Sequence, residues 1–209
     1  MKLFLFDIDG VLIRPSVYFD SFLENRGYAG AAAALQAYYS SPEEHDCLQG
    51  KNDPLDILPP YLERFNWRGG TGLFLEQNYQ YDQQHLDDDL LGKIALLRST
   101  VGHCFLATDQ NHRRKDFLLN DLDFRNQFDG WFISSELGQT KTQDAFWDQV
   151  LDCIQAKYAG IQPEDILFVD DRECNLLAAH KKGIETFHAK DEPAINSLKA
   201  LLDEILVGA

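Results

Sequence analysis

Short apolar runs alternate with amphipathic stretches from Leu86 to Phe187, and no other feature restricts the chain as much. Runs at 103–107, 130–133, 166–169 and 184–187 read as strands, and a fifth at 3–6 opens the chain. Helical spacing marks "DDDLLGKIALLRS" and "NHRRKDFLLNDL" on either side of the second run, then "QDAFWDQVLDCIQAKY" and "RECNLLAAHKK" on either side of the fourth. Strands separated by helices cannot close as tight hairpins, so they pair in parallel through crossovers. The expected fold class is α/β, a parallel sheet with helices on both faces.

The segment 14–85 breaks this rhythm. "VYFDSFLENRG", "AAAALQAYY", "PLDILPPYLERFNW" and "GLFLEQNYQY" read as helices, with no strand pattern among them. Residues 1–13 and 86–209 are therefore expected to build the α/β core, and 14–85 an inserted all-helical domain. The insert's Phe and Tyr residues fall at helical spacing and read as its own core, with Trp67 packing at a helix end.

Charge narrows the partners. The 209 residues carry 34 Asp and Glu against 19 Lys and Arg, a formal net charge of −15. That balance argues against nucleic acid and anionic membrane surfaces. It leaves room for an anionic substrate wherever a local cation reverses the field. No apolar run is long enough to span a bilayer, and no apolar signal region opens the chain, so a cytoplasmic location is expected. Cys47, Cys104, Cys153 and Cys174 are scattered with no CxxC pair, which suits reduced thiols, and Cys104 and Cys153 read as core residues. The six histidines show no metal-ligand spacing.

Ligands of open α/β sheets bind at the carboxyl ends of the strands. Asp7, Asp9 and Gly10 follow the first run in "FLFDIDGV", Thr108 and Asp109 follow the next in "FLATDQN", and Asp170 and Asp171 close "ILFVDD". Lys141 precedes a long helix in "LGQTKTQDAFW". One DxD at a strand end means little. Adjacent carboxylates after a buried strand are costly without a cation, and all of these groups converge on one edge from distant parts of the sequence.

The order "DIDGV", "FLAT", Lys141, "ILFVDD" resembles the haloacid dehalogenase-like hydrolase superfamily, and the insertion resembles that of its helical-cap subgroup. The resemblance implies a Rossmann-like core and a catalytic division of labour. Asp7 is the implied nucleophile, and Asp9 the acid that protonates the leaving oxygen and then activates water. Mg²⁺ is the implied cofactor, held by Asp7, Asp171, the Asp9 main chain and, through water or as support, Asp170. Thr108 and the Asp109 N–H are implied phosphate donors, and Lys141 neutralises the phosphoryl group. Asn175 has the spacing of a supporting polar residue.

Two positions depart from the family pattern. Asp109 stands where Asn is common, and its side chain is expected to turn away and cap a helix at 111–113. Thr142 follows Lys141 where Pro is common, at a small cost in loop rigidity. Arg14 and Lys51 are the expected cap-side contacts to the rest of the substrate, and "HRRK" at 112–115 reads as a solvated helix start.

The function these residues imply is a Mg²⁺-dependent phosphatase of small phosphorylated metabolites, working through an aspartyl-phosphate. A sugar phosphomutase shares the motifs and the cap. A dehalogenase would use Asp7 on carbon but leave Asp9 and the metal residues without a task. A non-catalytic phospho-ligand sensor or scaffold would tolerate loss of these residues, all of which are present.

Overall fold

The computed structural model describes residues 2–208. One sheet holds five strands: β1 (Lys2–Phe6), β2 (Gly102–Thr108), β3 (Trp131–Ile133), β4 (Ile166–Asp170) and β5 (Glu185–His188). They run in the order β3-β2-β1-β4-β5, and every pair is parallel. The order reverses direction on either side of β1, which leaves a crevice at its carboxyl end.

β1 is central because its sequence, "KLFLF", is apolar on both faces. Phe4 and Phe6 pack one way, against Leu90, Ile94 and Leu97 of the helix Asp88–Thr100 and Ile195, Leu198 and Leu202 of the helix Glu192–Val207. Leu3 and Leu5 pack the other way, against Phe146, Trp147, Val150 and Ile154 of the helix Asp144–Lys157. Each of these buried side chains contributes about 1.5–3 kcal/mol of transfer free energy. Period-two alternation thus places helices on both faces of the sheet.

Six helices fill the stretch between β1 and the helix Asp88–Thr100, with no strand among them. Their shared core is aromatic. Phe19 and Tyr81 lie against Phe74 and Phe22, and Trp67 meets Phe74 edge-on at 5.6 Å. Ile13 and Leu86 form an antiparallel bridge where the chain departs and returns, with Arg14 N–H donating to His85 O at 3.0 Å and Asp87 N–H to Leu12 O at 2.9 Å.

Several elements depart from the sequence expectation. The stretch 54–67 breaks into two short helices, Pro54–Ile57 and Pro59–Glu63, because Pro59 and Pro60 offer no N–H to continue the first. The helix Pro42–Leu48 is an addition, started by the Ser41 hydroxyl accepting from Glu44 N–H. So is Glu192–Val207, capped by Asp191. After β2 the helix His112–Asp116 widens into a π-helical turn, Phe117–Asp121. Cys104 is buried as expected, but Cys153 is exposed. The apolar stripe of its helix runs through Phe146, Trp147, Val150 and Ile154, and position 153 falls just outside it.

Candidate active site

Asp7 is the first residue beyond β1. Its N–H extends the ladder to Val169 O at 2.9 Å, and its carboxylate accepts from Ile8 N–H at 2.8 Å. Lys141 Nζ lies 2.7 Å from Asp7 Oδ2 and 2.7 Å from Asp170 Oδ2. All three side chains are almost wholly buried. Asp170, the last residue of β4, also accepts from Arg172 N–H at 2.7 Å and from Asn175 Nδ2 at 3.1 and 3.2 Å. Asn175 therefore braces Asp170.

Burial lowers the proton affinity of Lys141, but the neighbouring carboxylates more than offset it and hold the proton more firmly than in water, above the usual lysine range. Burial drives Asp7 well above the carboxylate range despite Lys141, with Asp170 adding repulsion. Asp171 is pushed up by burial and by Asp170. One ammonium thus faces three carboxylates. Asp7, Asp170 and Asp171 each present an oxygen within 4.8 Å of the others, a donor set able to hold a hard divalent cation. Gly10 makes the assembly possible. Its φ is +81°, and a Cβ there would collide with the Asp171 carboxyl.

The Asp9 carboxylate lies outside this acidic group, beyond the end of β1 at Phe6. Gln110 Nε2 donates to Asp9 Oδ2 at 2.7 Å and to Thr108 Oγ1 at 3.1 Å. Arg114 donates to Asp9 Oδ1 at 3.2 Å and, with its other amino group, to Asp82 of the insert. Its guanidinium stacks 5.1 Å from the Tyr79 ring centroid. "HRRK" starts a helix with His112 and Arg113 exposed, as expected, but its cations are engaged. Arg114 is buried, Arg113 forks onto Asp53 and Lys115 reaches Glu136. Neither Gln110 nor Arg114 carries a local sequence signal beyond its distance from Thr108.

Asp109 does not cap the following helix; Asn111 does, accepting from Arg114 N–H at 3.0 Å. The Asp109 carboxylate instead accepts from Lys141 N–H at 2.9 Å, while Trp147 Nε1 donates to Lys141 O at 2.7 Å. These two bonds pin the loop that Thr142 was expected to loosen. Arg14 is not a cleft residue either, for it pairs with Asp87 and Glu192 beside the crossing point. Lys51 pairs with Asp46 at 3.1 Å, also away from the cleft.

Between the strand ends and the insert lies a cavity of about 560 Å³. Asp9, Gly10 and Gln110 form its floor, and Glu44, Tyr79 and Asp82 face them from the insert. The insert is fastened over it by the Arg114–Asp82 and Arg113–Asp53 pairs and by Gln49 Nε2 donating to Gln143 at 3.3 Å.

The family model of the haloacid dehalogenase-like hydrolases matches residues 1–183. The chain belongs to this family. Among solved structures, this HAD-like hydrolase is similar to a "predicted HAD-like family hydrolase" from Porphyromonas gingivalis. The two share 20% identity and superpose with a TM-score of 0.70 over 97% of this chain and 98% of that one. A HAD family enzyme from Bacteroides thetaiotaomicron, crystallised with magnesium and inorganic phosphate, is 18% identical (TM-score 0.68; 90% and 93% covered). An L-2-haloacid dehalogenase from Xanthobacter autotrophicus, with chloropropionic acid covalently bound, is 15% identical (TM-score 0.62; 90% and 77% covered). At these identities the likeness is one of fold. No helix among the described residues of this HAD-like hydrolase is long and apolar enough to cross a membrane.

Proposed function

We propose that this HAD-like hydrolase is a Mg²⁺-dependent phosphatase of small phosphorylated metabolites, acting through an aspartyl-phosphate on Asp7. The supporting observation is the convergence of Asp7, Asp170 and Asp171, with Asp7 and Asp170 sharing the buried ammonium of Lys141. Surplus negative charge in an all-oxygen donor set fits Mg²⁺, with Asp7, Asp170 and Asp171 as its holders. Bound there, the ion would neutralise the carboxylates enough for a phosphate dianion to approach.

A carboxylate oxygen of Asp7 attacks phosphorus as the ester P–O bond breaks, and the departing alkoxide takes a proton from Asp9. Water then loses a proton to Asp9 and attacks phosphorus, breaking the bond to Asp7 and releasing phosphate. Thr108 and the Asp109 N–H supply donors to the phosphoryl oxygens, and Lys141 balances the charge that spreads onto them. Gln110 links the Thr108 hydroxyl to Asp9, so the phosphate grip and the proton donor are held by one side chain.

A dehalogenase expels halide and needs no proton on its leaving group, so the presence of Asp9 as an acid–base residue at the cavity floor weighs against that reading. A phosphomutase differs only in the acceptor of the second step, a sugar hydroxyl in place of water. The four free cysteines suit a cytoplasmic site of action. Steady phosphate release from an aryl phosphate with Mg²⁺, its loss in Asp7→Asn, and a beryllium fluoride adduct at Asp7 are the expected results. Undiminished turnover by Asp7→Asn would overturn the mechanism, and isomerised sugar phosphate without net phosphate release would favour the mutase.

A further inference from the structure

The half of the cavity away from the sheet is acidic and aromatic. Five carboxylates line the whole cavity against two guanidiniums, and no lysine does. Arg114 is already committed to Asp9 and Asp82. Arg172, at the sheet side, stands among Asp109, Asp171 and Glu44, and its charge eases the ionisation of all three. The insert contributes Asp20, Glu44 and Asp82 and no cation of its own.

Glu44 is the group without a task. It sits in the first turn of the helix Pro42–Leu48, facing the cavity. Among the described residues its carboxylate accepts no hydrogen bond and forms no ion pair, although its main-chain N–H is used by Ser41. Burial, with repulsion from Asp109 across the cleft, pushes its carboxyl up to about 7. A half-buried carboxylate left unpartnered is costly unless a ligand completes it. Tyr79 lines the same wall, so the insert side around Glu44 offers aromatic carbon and no cation.

We infer that the alcohol part of the substrate carries hydrogen-bond donors, hydroxyl or ammonium, and no second acidic group, and that Glu44 reads those donors. The inference rests on the phosphatase reading for the other end of the substrate. Carboxylates outnumber guanidiniums by three in this lining, so a further carboxylate or phosphate meets repulsion and would have to be desolvated against it. Glu44 accepts from a polyol or an amine, and donor-poor esters leave it unpaired.

The experiment compares kcat/KM for a polyol ester (glucose 1-phosphate), an amine ester (phosphoethanolamine) and two acidic esters (3-phosphoglycerate and fructose 1,6-bisphosphate), with an aryl phosphate as reference. At least one donor-bearing ester should exceed both acidic ones by tenfold or more. Glu44→Leu should shrink that ratio about tenfold, a change in discrimination that mere loosening of the fold would not produce. Glu44→Gln separates the two sources, keeping the ratio for a polyol and losing it for an ammonium. Preference for an acidic ester, removed by Arg172→Gln, would overturn the inference and assign a second anion to Arg172. An unchanged ratio in Glu44→Leu would overturn the role of Glu44. Failure of the phosphatase reading would appear separately, as an inert aryl phosphate. The same ranking is then read calorimetrically, by titrating the esters into Asp7→Asn protein, where the acidic esters binding as tightly would again overturn it.

Discussion

Gly10 and Asp171 share a volume that admits only one of them with a side chain. In Gly10→Ala the left-handed φ of +81° costs about 1–2 kcal/mol, and the new methyl also displaces the Asp171 carboxyl. The variant should lose Mg²⁺ affinity, read by calorimetry, beyond its loss of unfolding free energy. Gly27→Ala is the control. Its φ is +95° with nothing within 4 Å of the added carbon, so it should carry the backbone penalty alone and leave Mg²⁺ binding intact. At this scale the sequence pointed to residues marked by type and place, such as Asp7, Thr108, Lys141 and Asp170, which lie at strand ends or nearby. It hid Gln110 and Arg114, because their partner Asp9 is about a hundred positions away and nothing local distinguishes a buried arginine in "HRRK" from a solvated one.

The helix His112–Asp116 and its π-helical extension form the element that joins sheet to insert. Arg114 spans from Asp9 to Asp82 with the two arms of one guanidinium, a geometry that an ammonium cannot reproduce. Arg114→Lys should therefore keep the charge, loosen Asp9, and lower kcat by about tenfold or more, since proton transfer of this kind is worth 10²–10⁴. A loss confined to KM would show that Arg114 serves the insert and not Asp9. The strands were legible because five short apolar runs between helical patterns admit few other arrangements. Less legible were elements whose starts depend on capping. Ser41 and Asp191 each begin a helix before a proline, a signal easily read as a turn. Prolines 59 and 60 likewise divide one helical pattern into two pieces.

The whole molecule carries its electrostatic tension in one place. Asp7, Asp170 and Asp171 are held together by the fold against their repulsion, and Mg²⁺ should relieve it. Thermal unfolding should shift upward with Mg²⁺, by about 2.7 kcal/mol when the ion stands at a hundred times its Kd, and return on chelation. Asp7 and Asp171 are both raised from the ordinary aspartate value by burial, Asp7 the more strongly. Without metal, each contributes stability that is fully present below its unfolded pKa and lost as pH rises through its raised folded value. The Mg²⁺-dependent gain should therefore be smallest in acid and grow with pH, which parallel melts with and without chelator would read. A gain independent of pH would place the ion elsewhere.

The bridge between Ile13 and Leu86 has its own bearing on this architecture. It brings the two ends of the intervening 72 residues within one strand spacing, so the sheet meets them as it would meet a tight turn. Changes in the length or packing of the insert need not propagate into β1, where Asp7 is set, provided that this doorway keeps its shape. On the proposed phosphatase reading, chemistry and recognition are thereby free to drift at different rates within one chain: the strand ends under the discipline of the reaction, the helices above them under that of whichever alcohol is to be released.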